Sequence, residues 1–214
     1  MYFYAARQPI FDKEKKLFAY ELLFRDSINN VFPDIDGDEA TSKMVEASQF
    51  NVGVSDFTGN KPAFINFTME TIEQGYPIML TPEEVVVEVL ETVKPGKKLL
   101  SLIKDLHEKG YTIALDDYVH QSVWGHFFPF IHIIKICWRE TSPEDMQTIK
   151  AAIAAFPHIK LLAEKIETHE EYNQAEALGC ELFQEYFFPK PKNSDIHPTT
   201  PKKTDFTYNG EQDI

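Results

Sequence analysis

Eight short apolar runs with strand character set the limits on what this 214-residue chain can fold into. They are YFYAARQPI (2–10), KLFAYELLFR (16–25), PAFINF (62–67), EVVVEVLE (84–91), YTIALD (111–116), IHIIKICW (131–138), IKLLAE (159–164) and ELFQ (181–184). Helix-like segments lie between most of them. Residues 38–53 carry Ala, Met and Val at helical spacing, and residues 96–110 put Leu99, Leu102, Ile103 and Leu106 on one face before Gly110. Residues 142–156 open with Ser142 as a cap and Pro143 in the first turn. Residues 168–180 open with Thr168, place Glu171 at the capping-box position and stop at Gly179. Parallel strands need crossovers, and helices supply them. The order therefore predicts an α/β fold of the (β/α)8 barrel type, with a doubly wound open sheet as the alternative. FDKEK, the link between the first two runs, is too short for a helical crossover, so that pair is expected to be antiparallel.

Composition narrows the function classes. At 43% hydrophobic the chain can bury one sizeable core. A net charge of −13 argues against wrapping DNA, whose phosphates call for Lys and Arg, but leaves room for a small nucleotide held through metal ions. Two cysteines without CxxC spacing, Cys137 and Cys180, fit a reducing compartment rather than a disulfide framework. No signal-like or membrane-spanning apolar run occurs, so a cytoplasmic protein is expected. Residues 1–191 read as the barrel domain. The polar stretch 192–214 reads as a tail or linker.

Several strands carry a polar residue at or near the C-terminal end: Glu21, Asn66, Glu88 and Glu91, Asp116 and Asp117, Lys135, Glu164 and Gln184. In a barrel these ends converge on one face. Each residue has a plain alternative. Glu164 could cap the next helix, Lys135 could snorkel or pair, and Asn66 could end a turn. Taken together, several acids in one apolar mouth would repel each other unless cations compensate, and oxygen donors with one amide suit hard ions such as Mg2+ or Mn2+. Adjacent Asp116 and Asp117 can serve one site only if the strand ends there, because neighbouring strand side chains point to opposite faces. DIDGDEA (34–40) resembles a calcium loop, but Gly37 is misplaced and Val45 stands where the bidentate Glu belongs. His107 and His169 are expected on exposed helix faces, and His132 is expected to be structural.

These residues resemble the EAL-domain family of bacterial phosphodiesterases and receptors for cyclic di-GMP. ELLFR looks like the family's E-A/L-L-x-R, INFT its N-x-S/T, EVLE its E-x-T/L-E and LDDY its D-D-F. IKIC looks like K-I-D, AEKIET like A-E-G-V-E-T, and FQEYFFPKP like Q-G-Y-x-F-x-x-P. The opening ARQPIFDKEKKLFAYELLFRD is most similar to the subtype in which an HDOD domain follows. The resemblance implies a modified TIM barrel with one antiparallel strand near the N-terminus. It implies two-metal hydrolysis of cyclic di-GMP to the linear dinucleotide, with a homodimer and an HDOD or other domain outside this chain as further partners. Glu21, Asn66, Glu88 and Asp116 would hold the first ion and Asp117 the second. Lys135 and Glu164 would serve the attacking water, and Glu91 would anchor the loop after the Asp pair. Arg25, Gln184 and Leu23 would contact substrate.

The chain departs from that pattern after the Asp pair. Where the family continues with a glycine-rich loop, this sequence reads DDYVHQSVWGH, with Val119 at a glycine position. Cys137 stands at the K-I-D aspartate and Glu185 at the glycine of Q-G. A β-branched residue does not take positive φ comfortably, so the loop must run differently. A module that binds the dinucleotide or a protein partner without turnover is the alternative reading.

Overall fold

The computed structural model describes residues 4–25 and 54–185. The helix expected over 38–53, the calcium-like loop 34–40 and the tail 192–214 lie outside them. Eight strands close into one barrel in sequence order: β1 (Tyr4–Asp12), β2 (Leu17–Arg25), β3 (Ala63–Phe67), β4 (Val85–Val89), β5 (Thr112–Leu115), β6 (Ile133–Cys137), β7 (Lys160–Ile166) and β8 (Leu182–Glu185). β1 runs antiparallel to both β2 and β8, and all pairs from β2 to β8 are parallel. The short link thus forces the antiparallel pair, and the modified TIM barrel holds while the open sheet does not. Closure removes the sheet edges an open arrangement would leave unpaired.

Helices cover the outside. α1 (Val54–Thr58) and α2 (Met69–Glu73) are short, whereas α3 (Lys97–Glu108), α4 (Pro143–Ile153) and α5 (His169–Ala177) occupy the expected segments. Ser142 accepts a hydrogen bond from the Asp145 amide, and Thr168 and Glu171 form a reciprocal capping box. Gly110, at φ +88, provides the left-handed step that turns the chain from α3 into β5. Leu99, Ile103 and Leu106 of α3 are buried against the outer faces of the strands, with Leu102 only partly covered. His107 is corrected: its ring is half-buried, stacked on His132 at 5.2 Å and edge-on to Phe130.

Inside the barrel one residue from each strand forms a separate apolar cluster: Ile10, Ala19, Phe64, Val86, Ala114, Ile133, Leu162 and Leu182. This plug is the floor on which the site stands. Strand side chains repeat their facing every second residue. The next inward position along β2 to β8 is therefore fixed by the plug, and it is polar in every strand.

Candidate active site at the mouth of the barrel

Two residues beyond the plug stand Glu21, Asn66, Glu88, Asp116, Lys135, Glu164 and Gln184. In β1, which runs the other way, the matching residue is Gln8, paired with Glu21 across the ladder. Asn66 lies beside Glu88, and Glu164 beside Gln184, in the same registers. A polar layer eight strands round thus sits on an apolar floor, at the C-terminal ends of the parallel strands. In such barrels this end carries the chemistry.

Lys135 is the hub. Its side chain is 1% exposed, and its ammonium donates to Glu88, lies 2.8 Å from Asp116, 3.3 Å from Glu164 and 3.6 Å from Glu21. Burial pulls this lysine toward its neutral form, but the carboxylates of Glu88, Glu21, Asp116 and Glu164 together hold it charged, above the usual lysine range. Glu88 is fully buried. Burial pushes its carboxyl well above the ordinary value; Lys135 opposes the shift, while Glu21 and Asp116 add to it. Gln184 donates from Nε2 to Glu21 at 2.5 Å.

β5 ends at Leu115, so the two acids after it leave the strand. Asp116 still binds back, its amide donating to the Val89 carbonyl at 3.0 Å. Asp117 adopts φ +36, which turns its carboxylate over the mouth toward β7. There Lys165, also left-handed at φ +61, places its ammonium 3.4 Å from Asp117 and 3.2 Å from Glu164. Burial pushes Glu164 up to about 7 against the pull of Lys135, with Asp117 and Asp116 adding to the rise. The loop beyond is pinned by the Tyr118 amide on the Lys135 carbonyl at 2.9 Å and by the Tyr118 hydroxyl on His120 Nδ1 at 3.0 Å. Val119 is 73% exposed and is not among the left-handed residues, so the positive-φ step falls on Asp117 instead.

The structure brings Glu21, Asn66, Glu88, Asp116, Asp117, Lys135, Glu164 and Gln184 to one mouth. Leu23 follows Glu21 by two residues and shares its face, half-buried. Arg25 closes β2, and its side chain lies outside the described part. Glu91 is not brought in: it is exposed in the turn after β4, and no hydrogen bond or ion pair among the described residues ties it to the loop after the Asp pair. Gln8 and Lys165 were missed. Counting two residues back from Ile10 in an antiparallel strand would have found Gln8. The left-handed backbone that aims Lys165 has no compositional mark.

Could this mouth hold divalent cations? Five carboxylates face two ammonium groups, an excess of three negative charges when all are ionised. One carboxylate oxygen of Glu88 and the amide oxygen of Gln184 are buried with no hydrogen-bond partner among the described residues. Buried acceptors without donors are costly, and an oxygen-seeking cation answers both the charge and the missing partners. The donor set fits.

Comparison with known proteins places the chain in a family. The family model for the EAL domain matches residues 38–191. The chain belongs to the EAL domain family. Glu21 lies before the matched span, and the β2 register brings it to the same mouth. A Vibrio cholerae protein named cyclic di-GMP phosphodiesterase CdgJ is 35% identical over 191 residues, covering 88% of this chain and 44% of its own length. The Bacillus subtilis protein YuxH is 37% identical over 194 residues, covering 88% of this chain and 47% of its own. The chain thus spans about half the length of the curated relatives it matches. The crystal structure of Bacillus subtilis YkuI, an EAL-domain protein in complex with c-di-GMP and calcium, superposes with a TM-score of 0.68 at 19% identity, over 86% of this chain and 53% of that one. It supports the barrel fold.

Proposed function

We propose that this EAL domain hydrolyses one phosphodiester of cyclic di-GMP, giving the linear dinucleotide, with divalent cations held at the barrel mouth. The observation that carries the reading is the ring of polar residues on the apolar plug, with five carboxylates gathered around Lys135 and Lys165. CdgJ, named as a phosphodiesterase of this dinucleotide, and YkuI, described with c-di-GMP and calcium, support the choice of substrate and of a divalent ion. Mg2+ or Mn2+ is the proposed native ion.

Glu21, Asn66, Glu88 and Asp116 would hold the first ion, and Asp117 with Glu164 the second. Bound ions would polarise a phosphoryl oxygen and lower the pKa of a bound water. The chain's own residues do the rest. Lys135 is anchored by four carboxylates, so its ammonium is held in place to orient a nucleophile or meet a developing negative charge. Gln184 holds Glu21 in one orientation through its amide. The apolar plug closes the mouth from below, which keeps the polar layer in a low-dielectric setting and strengthens its electrostatics. An acidic chain can accept an anionic ligand there because the ions reverse the local sign. The cell interior is the proposed location, an HDOD domain outside this chain is the partner that the opening residues suggest, and a second copy is a further proposed partner. No helix among the described residues is long and apolar enough to cross a membrane.

A second reading, binding without turnover, is favoured by Lys165, whose ammonium already sits on Asp117 and Glu164. One experiment separates the two. Purified chain is given cyclic di-GMP with Mn2+ or Mg2+, beside Glu21→Ala, with product followed by chromatography and binding by calorimetry. Linear dinucleotide above the Glu21→Ala rate is expected. Binding without product favours the receptor, and neither signal removes both readings.

A further inference from the structure

Plain strand alternation would send Lys165 away from the mouth, because Glu164 before it points inward. The ladder breaks at this point. β7 and β8 pair Glu164 with Gln184 and Ile166 with Glu185, which leaves Lys165 as an extra residue. Such a bulge is rare between parallel strands, and beside a site it re-aims a side chain. Ile166, which alternation would place inward, packs in the outer core instead. Lys165 takes up the difference at φ +61, a conformation that suits glycine. The result is that two neighbours in one strand, Glu164 and Lys165, both reach the mouth.

The bulge delivers the ammonium to a particular place. It lies 3.4 Å from Asp117 and 3.2 Å from Glu164, the two carboxylates proposed for the second ion. Glu164 is divided between the lysines: Oε2 faces Lys135 at 3.3 Å and Oε1 faces Lys165 at 3.2 Å. The two lysines differ in freedom. Lys135 is 1% exposed and fixed among its partners, whereas Lys165 is 44% exposed and has solvent to swing into.

Charge counting separates the two ion positions. At the first, Glu21, Glu88 and Asp116 against Lys135 leave two negative charges when all are ionised, which one divalent ion cancels with the lysine in place. At the second, Asp117 and Glu164 against Lys165 leave one, which a divalent ion overshoots unless the lysine departs. We propose that Lys165 is a tethered cation that competes with the second divalent ion for Asp117 and Glu164, so that the mouth fills in order, the first ion well before the second. The proposal rests on reading the mouth as a two-ion pocket, though not on hydrolysis. Lys165 thereby sets the ion concentration at which the second position is occupied. Without its ammonium the second position keeps two negative charges, and a second divalent ion cancels them.

Mn2+ alone is the probe, with bound ion counted from the loss of the free-ion electron paramagnetic resonance signal. The full chain is titrated without dinucleotide. One ion is expected to bind tightly and a second more weakly. In Lys165→Gly, which also suits the left-handed backbone, the second ion is expected to tighten about tenfold, with the first unchanged. Lys165→Arg keeps the charge and is expected to keep the unmutated pattern. Adding Asp117→Asn to Lys165→Gly should remove the second ion and leave the first. Circular dichroism shows whether each variant is folded. Two ions bound equally tightly by the unmutated chain, a second-ion affinity unchanged in Lys165→Gly, or the same gain in Lys165→Arg overturns the proposal. No Mn2+ bound by the chain or any variant overturns both this inference and the proposed function. Hydrolysis by a chain whose second-ion affinity ignores residue 165 overturns this inference alone. The Lys165→Gly gain in a chain that leaves cyclic di-GMP intact overturns the proposed hydrolysis alone.

Discussion

At the scale of the residue, Lys135 decides the character of the mouth. A single ammonium, almost wholly buried, is touched by Glu21, Glu88, Asp116 and Glu164. Removing it would leave four carboxylates without their common counter-charge. Breaking a buried pair from one side costs about 3–5 kcal/mol, because the remaining charge stays desolvated. Lys135→Met is therefore expected to lose about that much stability in the presence of a chelator, measured by urea unfolding. Added Mn2+ should restore a good part of it, since the ion would supply the missing positive charge. An equal loss with and without Mn2+ would mean that the carboxylates do not gather around a cation. The residue identities of this cluster were legible in the sequence, because acids after apolar runs need compensation wherever they lie. The pairing was less so. Lys135 reads locally as a snorkelling lysine, and only closure of the barrel shows that four strands aim carboxylates at it. Glu91 shows the reverse error: one residue past Leu90 the chain has turned, and an acid that reads as part of the strand ends up in solvent.

At the scale of the element, strands and helices obey different kinds of signal. Helix starts are written locally, in Ser142 with Pro143 and in Thr168 with Glu171, and these caps form as their spacing implies. Strand ends are not written locally. The run 111–116 stops at Leu115 because the chain turns left-handed at Asp117, and no glycine announces it. The run 131–138 starts late, at Ile133, because the Ile113 amide donates to the His132 ring, Nδ1 accepting at 3.1 Å, where a ladder carbonyl would otherwise accept. The α5 cap gives a test confined to this scale. Thr168 accepts from the Glu171 amide at 3.1 Å, and Glu171 returns the bond to the Thr168 amide at 3.0 Å. Losing such an N-cap costs about 1 kcal/mol. Thr168→Ala is expected to unfold at correspondingly lower urea, with Thr168→Ser close to the unmutated chain. Affinity for cyclic di-GMP should not change, because the capped end of α5 carries none of the groups around Lys135. A loss of affinity beyond the loss of folded protein would tie α5 to the site.

At the scale of the whole molecule, the two ends of the barrel titrate in opposite senses. Near the N-terminal ends of β6 and β7, His132 is surrounded by His107 and His158, with ring centroids at 5.2 and 6.5 Å. Burial, then the charges of His107 and His158, pull His132 from 6.5 down to about 4. The unfolded chain takes up this proton below about 6.5 and the folded chain only near 4, so folding is favoured by His132 above that range and loses the contribution as pH falls through it. At the mouth, Glu164 is pushed from 4.5 up to about 7. The folded chain keeps that proton longer than the unfolded one, so this contribution is complete at low pH and is lost as pH rises through the same interval. A plain melting curve against pH would sum the two slopes and reveal neither. His132→Gln removes the first, and its thermal midpoint is expected to fall less than that of the unmutated chain between about pH 6.5 and 4, by on the order of a few degrees for a domain of this size. Glu164→Gln removes the second, and should gain relative stability as pH rises from about 4.5 toward 7. If Glu164 faces a bound ion, saturating Mn2+ shrinks the Glu164→Gln difference while leaving the His132→Gln difference as it was. That asymmetry is expected only if the cation pocket and the histidine cluster are separate devices at opposite ends of one barrel. A Mn2+ effect on both variants would show that they are coupled through the core.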